Sequence, residues 1–151
     1  MAALTVDAVR ARVAAAGAAV SGWSQAPVPF ELFFDFAVRS SGHKTFAVGV
    51  PSTERFRSVD EFITASAGAM VETEIVVRWL YRTGRGEDPA TSLDVALVAE
   101  QALTLGLLLA SAANLALHWE SWTREITEEG WLHGEIVLRA GHSIAFVTNP
   151  A

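Results

Sequence analysis

Apolar residues recur at helical spacing in two parts of the chain and at alternate positions in five others. The first helical repeat comprises Val6, Val9, Val13 and Ala16. It follows Thr5, a residue suited to cap a helix because its hydroxyl can accept a backbone hydrogen bond. The pattern predicts a short amphipathic helix over residues 6–19, ended by Gly17 or Gly22.

The second helical repeat covers residues 89–110 and begins with Asp88 and Pro89, an acid and a proline typical of a helix start. Its broad apolar stripe, expected to face the sheet, comprises Val95, Val98, Ala99, Ala102, Leu103, Leu105 and Leu109. Four more leucines flank the polar groups on the other side: Leu93, Leu97, Leu107 and Leu108. A helix that is apolar beyond one stripe has two surfaces to bury. We therefore expect these four leucines to contact another subunit.

Alternation of apolar residues predicts strands elsewhere. Residues 44–50 form one strand, which Pro51 is expected to stop. Residues 70–82 form the clearest strand, and its core face comprises Val71, Thr73, Ile75, Val77, Trp79 and Tyr81. Residues 115–126 and 131–139 are expected to pair as a hairpin.

Two segments have no single interpretation. The aromatic residues between 30 and 36 fit either a strand or an arm that docks on a neighbouring subunit, which makes Phe33 and Phe34 candidate contact residues. Residues 51–69 form an irregular connection, and long connections of this kind are often functional or mobile.

These elements predict a single α+β domain over residues 1–151, with one mainly antiparallel or mixed sheet of about four to five strands packed by two helices. The length of 151 residues suits one domain, and a composition that is 51% hydrophobic and 19% charged excludes a disordered protein. The absence of cysteine excludes disulfides and thiolate metal sites.

Charge and hydropathy narrow the function classes. A net charge of −6 argues against a protein that coats nucleic acid. The mean hydropathy of +0.30 is high for a small monomer. The most apolar window, 102–113, is shorter than the ~20 residues that a membrane span needs, so we expect no membrane partner and folding in a cytoplasm.

No enzyme or cofactor motif is present in the sequence. His118 and His133 each precede a glutamate by two residues, but the hairpin register places His133 opposite residue 125 and His118 near residue 140. We therefore expect no metal site, and we expect His43 and His142 to be solvated in turns. Neither an active site nor a cofactor is predicted.

The mixed face of strand 70–82 carries Glu72 and Glu74, which we interpret as a solvated or lumen-facing acidic strip. Arg78 and Arg82 share this face, where they pair with glutamates of a neighbouring copy or are solvated. Trp79 and Trp119 fit either the core or a surface, and two other tryptophans, Trp122 and Trp131, flank the hairpin turn, a place that favours capping the sheet or meeting a partner.

Three segments, in this order of elements, resemble the tail terminator (tail-completion) proteins of tailed bacteriophages and phage-like particles. They are TFAVGVP at 45–51, TEIVVRWLYR at 73–82 and EGWLHGEIVL at 129–138. The similarity is one of pattern and size over nearly the whole chain, because this family shares no invariant catalytic motif.

The resemblance implies a virion subunit, assembled in the host cytoplasm, that closes into a ring, typically a hexamer. The ring sits on the last ring of the tail tube protein, stops polymerisation and offers a surface to a head-completion or neck protein. DNA passes through the lumen without being bound. The residues expected to face the lumen or the tube are Glu54, Asp60, Glu61, Glu72 and Glu74.

Two alternatives remain open at this stage. A head–tail connector or neck protein would share the fold and differ in its binding partner. A small α+β enzyme or ligand-binding domain would need a pocket with convergent polar groups, formed from His118, Glu120, Glu135 and Arg139.

Overall fold

The computed structural model describes residues 3–39, 42–55, 68–82, 89–126 and 131–145. The helices are α1 (Val6–Ala18), α2 (Phe33–Arg39) and α3 (Pro89–Leu108), with a 3-10 turn at Phe30–Leu32. The strands are β1 (Ser24–Gln25), β2 (Thr45–Arg55), β3 (Gly68–Arg82), β4 (Ala116–Ile126) and β5 (Trp131–Ala145). The fold is α+β with a single mixed sheet, as the sequence predicts.

The sheet has the strand order β1-β2-β3-β5-β4, so β4 forms one outer edge. The short β1 pairs with β2 in parallel, and the other pairs are antiparallel. His133 lies opposite Glu125, as predicted. His118 lies opposite Arg139 and not residue 140, because a bulge between Trp119 and Ser121 shifts the register by one residue.

The prediction that Pro51 stops its strand is wrong. β2 continues to Arg55, and the register with β3 shifts between Gly49 and Ser52. A proline removes one ladder hydrogen bond, and a bulge is one of the places where a strand tolerates that loss.

One face of the sheet, called here the helix-covered face, carries α1 and α3. The predicted core face of β3 is confirmed, since all six of its residues are buried. Trp23 and Trp79 meet edge to face there, with ring centroids 6.3 Å apart. Trp79 is therefore a core residue.

Helix α1 begins as predicted, with the Thr5 hydroxyl accepting a hydrogen bond from the Ala8 amide at 3.0 Å. The helix ends at Ala18, one residue beyond Gly17, and Gly22 follows with a positive φ of 83°. Gly17 does not end the helix: a Cβ there would lie 2.7 Å from Phe46 Cζ, so only a glycine lets α1 approach the sheet this closely.

The aromatic segment forms helix and not strand. Phe33 and Ala37, four residues apart, both point inward and are fully buried against the opposite face of the sheet, called here the open face. They pack with Ala47, Leu80 and Trp131. The predicted docking arm therefore covers its own sheet.

Helix α3 has the reverse orientation to the one predicted. Between Leu93 and Leu108, its buried residues are Ala96, Ala99, Glu100, Leu103, Thr104, Gly106 and Leu107. Of the predicted inward stripe, only Ala99 and Leu103 are buried; the other five residues face solvent. On the α1 side, Gly106 packs so closely on Val20 that a Cβ would overlap the valine side chain.

Enlarging Gly17 tests the close approach of α1. Gly17→Val places new carbon against Phe46 and Leu107, and overpacking of this kind costs about 1–3 kcal/mol. Ala18→Val, at the neighbouring exposed position, is the control and costs at most about 0.7 kcal/mol through helix propensity. Urea unfolding of both variants measures the difference. Equal stability of the two would contradict the packing argument.

Candidate functional site

The outward side of α3, continued by the residue just after it, presents an unbroken apolar stripe, called here the outer stripe: Val95, Val98, Ala102, Leu105 and Leu109. Its four large side chains are 49%, 66%, 64% and 76% exposed, in chain order. The residues follow one another at alternating steps of three and four, which is the a/d spacing of a helix–helix seam. The outer stripe is therefore patterned to pack against another apolar element.

The outer edge of the sheet adjoins this helix. β4 pairs with β5 alone, so within the described ranges its other side offers unpaired backbone N–H and C=O groups. Trp119 and Ile126 are exposed along this strand. Proteins usually blunt such edges with lysine, proline or a bulge. β4 has neither lysine nor proline, but it carries the charged residues Glu120, Arg124 and Glu125 and a bulge at 119–121.

Polar side chains join α3 to β4 beneath the outer stripe. Arg124 Nε donates a hydrogen bond to Glu100 Oε1 at 2.7 Å, and the Arg124 Nη2–Glu100 Oε1 distance is 2.6 Å. Trp122 Nε1 donates to Thr104 Oγ1 at 2.9 Å, and that hydroxyl donates to the Glu100 carbonyl oxygen at 2.9 Å.

Burial dominates the electrostatics of this junction. The Glu100 side chain is 0% exposed, and its Oε2 has no hydrogen-bond partner among the described residues. Burial raises the pKa of Glu100 above its usual range, and the hydrogen bond and positive charge of Arg124 oppose that rise.

Most of the residues predicted to contact a neighbouring subunit are not exposed. Phe33 and Leu107 are fully buried inside the chain, so they have no area left for a neighbour. Leu93 and Leu108 are half-buried and pack against the core, and Leu97 is half-buried.

Both candidate arginines are engaged within the chain. Arg78 donates to Glu135 Oε2 at 3.2 Å and to the Phe30 carbonyl oxygen at 3.0 Å, and its guanidinium lies over the rings of Phe30 and Phe34. Arg82 donates to the carbonyl oxygens of Gly42 and Ala37, each at 2.7 Å.

These contacts fit neither alternative left open for Arg78 and Arg82, namely ion pairs with glutamates of a neighbouring copy or simple solvation. Both arginines hold the α2 segment on the open face of their own subunit. Phe34, half-buried between Arg78 and His133, belongs to the same cluster.

The remaining part of the open face is acidic. Arg139 lies 2.9 Å from Glu120 and 3.5 Å from both Glu72 and Glu74. The hydrogen bond with Glu120 raises the pKa of Arg139, and the charges of Glu74 and Glu72 contribute in the same direction. One cation among three carboxylates leaves this strip negative.

Of the other acidic residues predicted to face the lumen or the tube, one is described by the structure and two are not. Glu54 is exposed and lies opposite Glu72 on the neighbouring strand, so it extends the strip. Asp60 and Glu61, like most of the predicted 51–69 connection, lie outside the described residues.

Three of the four residues named for a ligand-binding site lie together, and Glu135 lies elsewhere. A cavity of about 360 Å³ near Gly141 is lined by His118 and Arg139, and Glu120 reaches Arg139 from β4. Glu135 is bound to Arg78 and lines a different, open cavity beneath α2.

The histidines differ from expectation at one position. His142 is buried and not solvated: its Nε2 lies 2.8 Å from Thr73 Oγ1, which in turn lies 3.0 Å from Thr53 Oγ1. His43 is exposed and its Nδ1 accepts a hydrogen bond from the Arg82 amide. In the part of the chain that the structure describes, no three histidine, aspartate or glutamate side chains are grouped to hold a metal ion.

The sequence predicts the four large residues of the outer stripe on the wrong side of α3. Their alternation of three- and four-residue steps indicates a side to be buried, but it does not tell whether the subunit's own sheet or a partner covers that side. The four leucines predicted to contact a partner, Leu93, Leu97, Leu107 and Leu108, are buried or half-buried within the chain.

No family model matches the chain, and no curated protein is significantly similar to it in sequence. None of the described helices is both long enough and apolar enough to cross a membrane.

The charge of Glu100 makes stability depend on pH. Because burial raises its pKa, the folded protein binds this proton more tightly than the unfolded chain. The resulting stability is present below the ordinary value of 4.5 and is lost as the pH rises through the higher pKa of the folded state. Relative to Glu100→Gln, the wild type should therefore become less stable as the pH rises from 4.5 towards neutrality.

Urea unfolding of both proteins at several pH values in that interval measures the difference. Arg124→Gln removes the positive charge that opposes the pKa rise, so it should widen the pH range over which stability falls. A wild-type protein that gains stability over Glu100→Gln as the pH rises would contradict the assignment.

Proposed function

We propose that this chain is a structural assembly protein of a tailed phage or phage-like particle, which acts as a tail terminator. Six copies close into a ring on the head-proximal end of the tail tube, stop its polymerisation and present a joining surface to a head-completion or neck protein. The observation that carries this proposal is the exposed outer stripe of α3.

The size of this apolar surface supports a role in assembly. Soluble monomers rarely expose a contiguous apolar patch above a few hundred Å². Four large aliphatic side chains of the outer stripe are half to three-quarters exposed, and Trp119 and Ile126 add to them on β4. A subunit of this kind leaves apolar area uncovered until a neighbour binds, at roughly 25 cal/mol for each Å² removed from water.

A ring needs a contact between unlike surfaces. The outer stripe and the β4 edge adjoin, so they form one composite surface. Contact of this surface with a different surface of the next copy is heterologous, and it forms a closed ring when the rotation between subunits closes.

The acidic strip supports passage of DNA through such a ring. Glu54, Glu72 and Glu74 lie on the open face of the sheet, away from α3. Placed towards a lumen, they would repel phosphate groups, so DNA would pass without being held.

The direct test uses the purified chain and the tail tube protein encoded in the same genome. Native mass spectrometry should show six copies, and addition of the ring to growing tubes should limit their length. A monomer at high concentration that leaves tube growth unchanged would overturn the proposal. A ring that binds only the head-completion protein would instead identify a neck protein.

A charge in the outer stripe tests the contact surface. Leu105→Asp would bury an unpaired carboxylate in each contact, at a cost of at least about 2 kcal/mol. We expect the assembly to dissociate at protein concentrations more than about tenfold higher than for the wild type, while each subunit stays folded. Gln101→Asp, exposed on the same helix but outside the stripe, is the control.

Leu107→Asp should behave differently. Because Leu107 is fully buried in the subunit core, this change should unfold the subunit itself. Circular dichroism together with native mass measurement separates the two outcomes. Intact assemblies of Leu105→Asp would exclude the outer stripe as the contact.

A further inference from the structure

Helix α3 has two sides that would suit a core, and apolar area alone does not decide which of them is buried. The inward side contains Glu100 and Thr104 together with three small residues and two leucines, and three further leucines are half-buried beside it: Leu93, Leu97 and Leu108. The outer stripe carries four large aliphatic residues. Either rotation buries several large aliphatic side chains and exposes others, so another interaction must fix the rotation.

The polar junction with β4 supplies that interaction. Glu100 and Thr104 lie one helical turn apart on the same side of α3, and each meets a partner from β4: Arg124 for Glu100 and Trp122 for Thr104. Rotating α3 by half a turn would separate both pairs and bring the apolar stripe under Arg124.

We propose that the Glu100–Arg124 and Thr104–Trp122 contacts are a rotational lock, which holds α3 with its outer stripe towards solvent so that a second copy of the chain can bind it. The lock follows from contacts within one subunit. Its purpose, presentation of the stripe to a second copy, rests on the proposed function.

The chemistry of the junction is better suited to fixing the rotation of α3 than to stabilising the fold. A buried ion pair often contributes little net stability compared with apolar residues of similar volume, and its best-attested role is to specify one register among several. Glu100 fits this description, because it is fully buried with one of its two oxygens unpartnered among the described residues. Thr104 and Trp122 add a second point of contact, so the helix can neither roll nor slide without losing one pair.

The experiment exploits the lack of cysteine in the chain. Ala96 and Ala102 are matched alanines on α3, the first buried and the second exposed. Ala96→Cys and Ala102→Cys are each made in the wild-type background and in the double variant Glu100→Met/Arg124→Met. The rate of thiol labelling is measured at a dilution where sedimentation shows single subunits.

In the wild-type background, the thiol of Ala96→Cys should react at least about tenfold more slowly than the thiol of Ala102→Cys, because the reversed orientation is populated at roughly 10% or less. In the double variant, the two rates should approach each other while the circular dichroism spectrum stays helical. The control is Glu120→Met/Arg139→Met, which removes an exposed ion pair from the other face of the sheet and should leave the rate ratio unchanged.

An unchanged rate ratio in a folded Glu100→Met/Arg124→Met protein would overturn the lock and assign the rotation to the Gly106–Val20 contact. If that variant fails to fold, Glu100→Gln/Thr104→Val removes the charge and the hydroxyl at nearly constant volume and is judged by the same ratio. If the lock is confirmed but the chain does not assemble, the result counts against the proposed ring alone. If the chain assembles but the ratio of labelling rates is the same with and without the Glu100–Arg124 pair, the result counts against the lock alone.

Discussion

The contact between Glu100 and Arg124 joins the outermost strand of the sheet to the most apolar helix of the molecule. Everything that the subunit presents on that side depends on it, because α3 has no strongly polar side to turn to water. With Glu100 inward, the large aliphatic residues face out beside the β4 edge, with which no described strand other than β5 pairs. With Glu100 outward, the same subunit would bury them and turn Leu93, Leu97, Leu107 and Leu108 outward instead, so a neighbour would meet a different surface.

The two faces of the sheet are covered in different ways. On the helix-covered face, Gly17 lets α1 approach the sheet closely, and Gly106 lets α3 pack closely on Val20. On the open face, Arg78 and Arg82 hold α2 by hydrogen bonds to backbone carbonyl oxygens and by contact with aromatic rings. Beyond α2 this face is left to carboxylates. The subunit thus has an apolar side and an acidic side.

Alternation and hairpin register predict the four long strands, because a period of two leaves little ambiguity about which face is buried. They do not predict the short β1, and they end β2 too early, at Pro51. The core face of β3 and the pairing of Glu125 with His133 follow from these patterns, whereas the other face, expected to meet solvent or a partner, instead buries Val76 and Leu80 within the chain. Helical patterns were less informative. In α3 either side is apolar enough to be buried, and the deciding partners, Arg124 and Trp122, lie on a distant strand that no local pattern reveals. The aromatic residues at 30–36 misled in the same way, since Phe33 and Ala37 find their places only against the sheet.

The same ambiguity explains why the contact residues could not be chosen correctly from the sequence. Residues at a subunit contact are excluded from water, as core residues are. The two kinds of residue differ only in which chain covers them. Leu107 and Leu105 are two residues apart and chemically identical, yet one is buried and the other is 64% exposed. The difference arises from the rotation of α3, and therefore from a few polar side chains. In a subunit with an apolar helix, the polar residues on that helix are consequently the ones that indicate which surface is left for a partner.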